Sequence, residues 1–167
     1  QFHQDTYHIV HDKIEIEYYN HTRVINPKIT IDYDNSTRTQ LLSASAYFAY
    51  GVKKNILTSA AVYRFVSRKY RPFPINVTLD ICEEYNKAVF GIDLAVKKSN
   101  FKGCPGEKGD YWIYNVTLEE DRFPPHLPFG KYKLDVHVYV DDNIYLGHGY
   151  WYGSIVSKSK WLEESRT

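Results

Sequence analysis

The chain has 167 residues and a mass of 19.6 kDa, with 21 Lys and Arg balanced by 20 Asp and Glu. That length fits a single domain spanning 1–167 with a substantial core, and so even a charge disfavours nucleic acid as a partner, which needs a concentrated basic surface. A mean hydropathy of −0.49 with 43% apolar residues excludes wholesale disorder, and runs such as Ala60-Ala61-Val62-Tyr63 are too short to cross a bilayer.

Alternation of apolar and polar residues predicts strands along most of the chain. Its 3 Trp, 16 Tyr and 8 Phe suit pleated sheets, where bulky rings pack well. Lys13-Ile14-Glu15-Ile16-Glu17-Tyr18 alternates first. Ile29 to Tyr33 follows and is closed by the turn residues Asp34-Asn35-Ser36. Leu42, Ala44, Ala46, Phe48 and Tyr50 share one face of a strand that stops at Gly51, and residues 56–66 form another with both faces fairly apolar. The triplet Asn76-Val77-Thr78 is a glycosylation sequon; Asn76 facing water would place Val77, Leu79 and Ile81 inward.

Between Glu83 and Ser99 the period changes. Tyr85, Val89, Ile92 and Val96 fall at four-three-four spacing, with acids at the start and lysines at the end, which predicts an amphipathic helix. Beyond it Asn115 facing outward would send Trp112, Tyr114 and Val116 inward. Phe123 to Gly130 holds three of the seven prolines and reads as a stiff loop. Tyr132 to Val140 is the clearest strand, with Tyr132, Leu134, Val136, Val138 and Val140 on one face. Asp141-Asp142-Asn143 then turns the chain into Ile144–Val156. About eight strands and one helix predict a mainly β fold of two antiparallel sheets.

Three signals point to an extracellular address. The chain starts at Gln1 without any Met and is expected to be a processed product. Sequons occur at Asn20, Asn35, Asn76 and Asn115. Cys82 and Cys104 suit a single disulfide in an oxidising compartment, the alternative being two buried thiols. No catalytic or metal constellation is legible. His3, His8 and His11 are expected in a mobile N-terminal stretch at spacings that fit no metal template, and His137 on a solvated strand face. Ser154 lacks a nucleophile elbow, and the acids Glu119-Glu120-Asp121 read as a solvated cluster. No catalytic role, metal or cofactor is expected.

One ordered set of motifs resembles a known family. Cys82, the helix-like stretch, Ser99-Asn100, Cys104-Pro105, Gly109-Asp110-Tyr111, Asn115 and the run Phe123 to Tyr132 resemble the secreted insect family that includes the CheA and CheB chemosensory proteins. The order is also distantly similar to the ganglioside activator protein, and the likeness covers roughly residues 75–156. The resemblance implies a β-cup, two sheets splayed around an apolar cavity that takes lipid tails, and a secreted role in binding or transfer during chemical sensing. The inward positions expected to line such a cavity are Phe48, Tyr50, Val62, Phe65, Val77, Leu79, Ile81, Phe90, Leu94, Trp112, Tyr114, Leu134, Val136 and Val138. In a closed sandwich the same rows would be solid core.

The expected partners are therefore a lipid or other apolar small molecule, with a receptor or membrane surface as a further contact and no nucleic acid. The alternative is a secreted interaction module whose anchor is Tyr150-Trp151-Tyr152, since Tyr and Trp dominate binding hot spots.

Overall fold

The computed structural model describes residues 2–165. Eight antiparallel strands form two sheets. They are β1 (Tyr7–Tyr19), β2 (Val24–Asp34), β3 (Thr39–Phe48), β4 (Ile56–Val66), β5 (Lys69–Asp80), β6 (Gly109–Val116), β7 (Gly130–Val140) and β8 (Ile144–Ser157). Five pair in the order β1-β8-β7-β4-β5 and three in the order β2-β3-β6. The mainly β, two-sheet architecture expected from the alternating pattern is thus present. Asp141-Asp142-Asn143 makes the β7–β8 turn, and Ser67 and Arg68, both in the left-handed region, make the two-residue β4–β5 turn.

Cross-strand register defines the inner faces. In the larger sheet Val136 opposes Gly149, Val138 opposes Gly147 and Leu134 opposes Trp151, while Ile56, Ala60 and Val62 line up with Val140, Val136 and Leu134. In the smaller sheet Ile29 opposes Ala44, which opposes Ile113, and Ala46 opposes Tyr111. One end of the larger sheet carries a solid core against the 118–127 segment. There Tyr7, Ile9, Tyr132 and Ile155 are buried together, packed by Val62, Phe73, Leu118, Phe123, Leu127 and Trp151. The hydroxyls of Tyr7 and Tyr132 donate to the carbonyls of Pro124 (2.6 Å) and Pro128 (2.7 Å), which pins the proline-rich loop over this end. Burial lifts the Tyr7 phenol to about 12, helped by the charge of Glu120.

Several expectations are corrected. The 83–99 segment is not one helix. It forms α1 (Ile81–Glu84), a 3-10 turn at Val89–Gly91 and α2 (Ile92–Val96), because Phe90 and Gly91 take left-handed backbone angles that no α-helix accepts. Asp80 caps α1 by accepting from the Cys82 amide at 3.0 Å. Two of the three N-terminal histidines are not in a mobile stretch: His8 and His11 belong to β1, where His11 is buried, while His3 precedes the strand and is exposed.

In β6 the facing is reversed. Tyr114 and Asn115 together oppose the single residue Ser43, a bulge that shifts the alternation by one, so Tyr111 and Ile113 are half-buried while Trp112 and Tyr114 are exposed and stacked on each other. Phe65 also faces outward, packed on Tyr70. A further helix, α3 (Lys158–Ser165), follows β8; its Trp161 stacks on His8.

Cys82 and Cys104 are joined, with their Cα atoms 5.4 Å apart. The bond closes a separation of 22 residues and so ties α1 to the loop entering β6. In the chain-entropy picture a loop of that size contributes about 3 kcal/mol.

Candidate functional site

A cavity of about 620 Å³ lies between the sheets at the end opposite the solid core. Packed interiors leave few voids larger than a water molecule, so its origin in the sequence matters. On one side β3 presents Ala44 and Ala46 where larger residues would interdigitate with the facing sheet. On the other, β8 presents Gly147 and Gly149 opposite Val138 and Val136. A side chain at either glycine would run into the carbonyls of Tyr18 or Glu15, so β1 approaches β8 closely here and nothing projects from these positions into the space. The solid core packs the larger sheet against the 118–127 segment and includes no residue of the smaller sheet, so it leaves this space unfilled.

Trp151 is the floor. It touches both the cavity and the solid core, and its ring lies over Gly153, where a Cβ would collide with it. The indole Nε1–H donates to Nδ1 of His11 at 2.8 Å, so the neutral imidazole carries its own proton on Nε2. Burial, then the nearby charge of His8, hold the His11 pKa below its ordinary value. Gln40 of β3 fixes the same point from the other sheet, accepting from the His11 amide and donating to the His11 carbonyl, each at 2.8 Å. These bonds satisfy the backbone where β1 shifts register, between His11 and Lys13.

The walls are apolar, with contributions from Ile14, Val24, Phe48, Ile56, Val140 and Leu146. Two polar side chains of the lining are already satisfied within the protein. Ser99 Oγ donates to the Val96 carbonyl and accepts from the Phe101 amide, and the Asn100 side chain donates to the Asp110 carbonyl and accepts from the Trp112 amide. Ile16, Tyr18, Ile29 and Tyr50 line the space yet are exposed, so they mark its mouth, with Lys28 and Glu107 beside them.

Of the positions singled out in the sequence, Phe48, Tyr50, Ile81, Trp112, Val136 and Val138 touch the cavity. Val62, Val77, Leu79, Phe90, Leu94 and Leu134 are half-buried but lie outside its lining. Val62 packs on the solid core and Phe90 on Phe123. Phe65 and Tyr114 are exposed and lie outside it too. What the sequence reading passed over are the small residues Ala44, Ala46, Gly147 and Gly149. Their signal was present in the alternation: small side chains at inward positions of two facing strands.

The trio Tyr150-Trp151-Tyr152 is split, with Trp151 inside and the tyrosines outside, where Tyr63, Tyr70 and Tyr150 surround the Lys133 ammonium at 4.8, 5.4 and 5.1 Å. Asn35, Asn76 and Asn115 are exposed, whereas Asn20 Nδ2, the atom a glycan would join, donates to the Tyr145 carbonyl at 3.1 Å. Among the described residues no group of three or more His, Cys, Asp or Glu side chains could hold a metal ion, and no helix is long and apolar enough to cross a membrane.

Fold and cavity together define a two-sheet β-cup with an open apolar interior. Over residues 58–134, from β4 into β7 and including both cysteines, the chain is similar to a family described as a protein of unknown function (DUF1091). No curated protein matches the chain.

Proposed function

We propose that this protein is a non-enzymatic, extracellular carrier of a lipid-like molecule, held with its apolar body between the sheets and its polar end at the mouth. The observation that carries the reading is the largely apolar cavity of about 620 Å³, within the ordinary size of ligand pockets, whose Ser99 and Asn100 side chains are engaged by the protein itself. Such walls offer a ligand burial and little else. Each methylene taken from water contributes about 0.8 kcal/mol, so a long hydrocarbon binds firmly without a specific polar contact. Lys28, Glu107 and the Tyr50 hydroxyl remain available at the rim for a polar head. The Cys82–Cys104 bond suits the oxidising compartment that an extracellular carrier occupies. A role in chemical sensing is the finer form of this proposal and rests on the motif resemblance alone.

The test is organic extraction of purified protein followed by mass spectrometry, together with titration by a fluorescent fatty-acid probe. Lipid in the extract and saturable probe binding are expected. Val136→Asp places a charge against the cavity wall and should weaken the probe at least tenfold, while Thr30→Asp, on an exposed position of β2, should leave it unchanged. A clean extract with no probe binding by the folded wild type would end the carrier reading.

A further inference from the structure

Charge is unevenly placed in this nearly neutral chain. The segment Arg64–Arg71 of the β4–β5 hairpin carries Arg64, Arg68, Lys69 and Arg71 and no acid. The other 159 residues therefore hold 17 Lys and Arg (21 less these four) against 20 Asp and Glu. Among the described residues none of the four pairs with a carboxylate. Arg68, Lys69 and Arg71 are exposed. The Arg64 guanidinium donates through Nη2 to the Phe129 carbonyl at 2.9 Å, which brings the proline-rich loop beside the hairpin and adds the exposed Lys131 to the same end.

The same tip exposes large apolar side chains: Phe65 by 40%, Val66 by 41% and Phe129 by 53%. Clustered cations without counter-charges, set among exposed rings, are unfavourable in water on both counts. Both costs reverse at an anionic lipid surface, where the cations meet phosphates and the rings enter the headgroup boundary. We propose that the β4–β5 hairpin tip, with Phe129 and Lys131 beside it, is a docking surface for membranes rich in anionic phospholipid.

Two other accounts explain less. A sulfated polysaccharide would satisfy the cations but has no apolar layer to receive Phe65, Val66 and Phe129. Protection of a sheet edge accounts for Lys69, Arg71, Pro72 and Pro74 on the edge strand β5, but not for Phe65 and Val66, which lie on the interior strand β4. The surface is separate from the cavity: Val66 lies ten residues along β4 from the cavity residue Ile56, roughly 30 Å at strand rise. Membrane docking can therefore hold or fail independently of the carrier reading.

The experiment is co-sedimentation of the full chain with phosphatidylcholine vesicles, with and without phosphatidylserine, and heparin chromatography in parallel. Binding to the phosphatidylserine vesicles, weakened by salt, is expected. Each basic residue at such a surface is worth about fivefold in partitioning. Arg68→Asn with Lys69→Gln should therefore lower it about 25-fold; Asn tolerates the left-handed backbone at 68, so the fold is retained. Phe65→Ser with Val66→Ser should lower vesicle binding about tenfold and leave heparin retention unchanged. If that pair fails to fold, the charge variant decides. Equal partitioning to both vesicle types, indifference to the charge variant, or heparin retention without vesicle binding would each overturn the proposal.

Discussion

His11 and Trp151 set the boundary between solid core and cavity through one hydrogen bond, and its direction fixes a protonation state. Nδ1 must accept, so a proton there would break the bond and leave the indole N–H buried without a partner. Burial and the neighbouring His8 depress the His11 pKa, outweighing the pull of Glu120 and Asp12. The unfolded chain takes up this proton below about pH 6.5 while the folded one resists it. Stability from this group is therefore complete above that pH and is lost as pH falls toward the lower folded value. Thermal unfolding followed by near-ultraviolet circular dichroism should show the melting temperature dropping between pH 7 and pH 5. His11→Gln, which keeps an acceptor and removes the titration, should flatten that drop; an equal slope in the variant would contradict the assignment.

Strands β3 and β8 create the cavity by presenting small residues to each other. At the solid end the packing positions are Tyr7, Tyr132 and Phe73 of the larger sheet with Phe123 of the segment after β6, and the space fills. At the open end they are Ala44, Ala46, Gly147 and Gly149, and it does not. Ala44→Leu adds three carbons into that space. Displacing about three ligand methylenes removes roughly 2.4 kcal/mol, so the affinity for a long-chain probe should fall at least tenfold. The new side chain gains contacts that Ala lacks, so the variant should melt no lower than the wild type. Unchanged affinity in the titration would place the probe outside the cavity.

Across the whole molecule, one end holds the fold together and the other is left open, which exposes cavity walls to solvent in the free state. A ligand that fills the space binds the folded state alone, and at a hundred times its dissociation constant stabilises it by about 2.7 kcal/mol. For a chain of this length that corresponds to a rise of roughly 5–10 °C in melting temperature. Delipidated protein titrated with a C16–C18 fatty acid should show this rise in scanning calorimetry, growing with ligand concentration. An unfilled, rigid cup that needs no ligand would show none.

The sequence by itself determined the class of fold, because side-chain alternation depends only on local geometry. Segments of all eight strands, the Asp141–Asn143 turn and the inward row Val136-Val138-Val140 were legible in the residue order. So was the pairing of Cys82 with Cys104, as the favoured of two readings. The errors lay where tertiary contacts override the local period. A single bulge at Asn115, stitched by its amide to Ser43 Oγ at 3.0 Å, left Trp112 and Tyr114 exposed, although Trp112 still borders the cavity. Left-handed angles at Phe90 and Gly91 broke a stripe that had the spacing of a helix. Whether inward rows become core or cavity was decided only by which rows face each other. Ala44 is an ordinary strand residue in its own segment. It leaves a void because β3 lies across from β8, where the glycines that let β1 approach supply nothing to fill it.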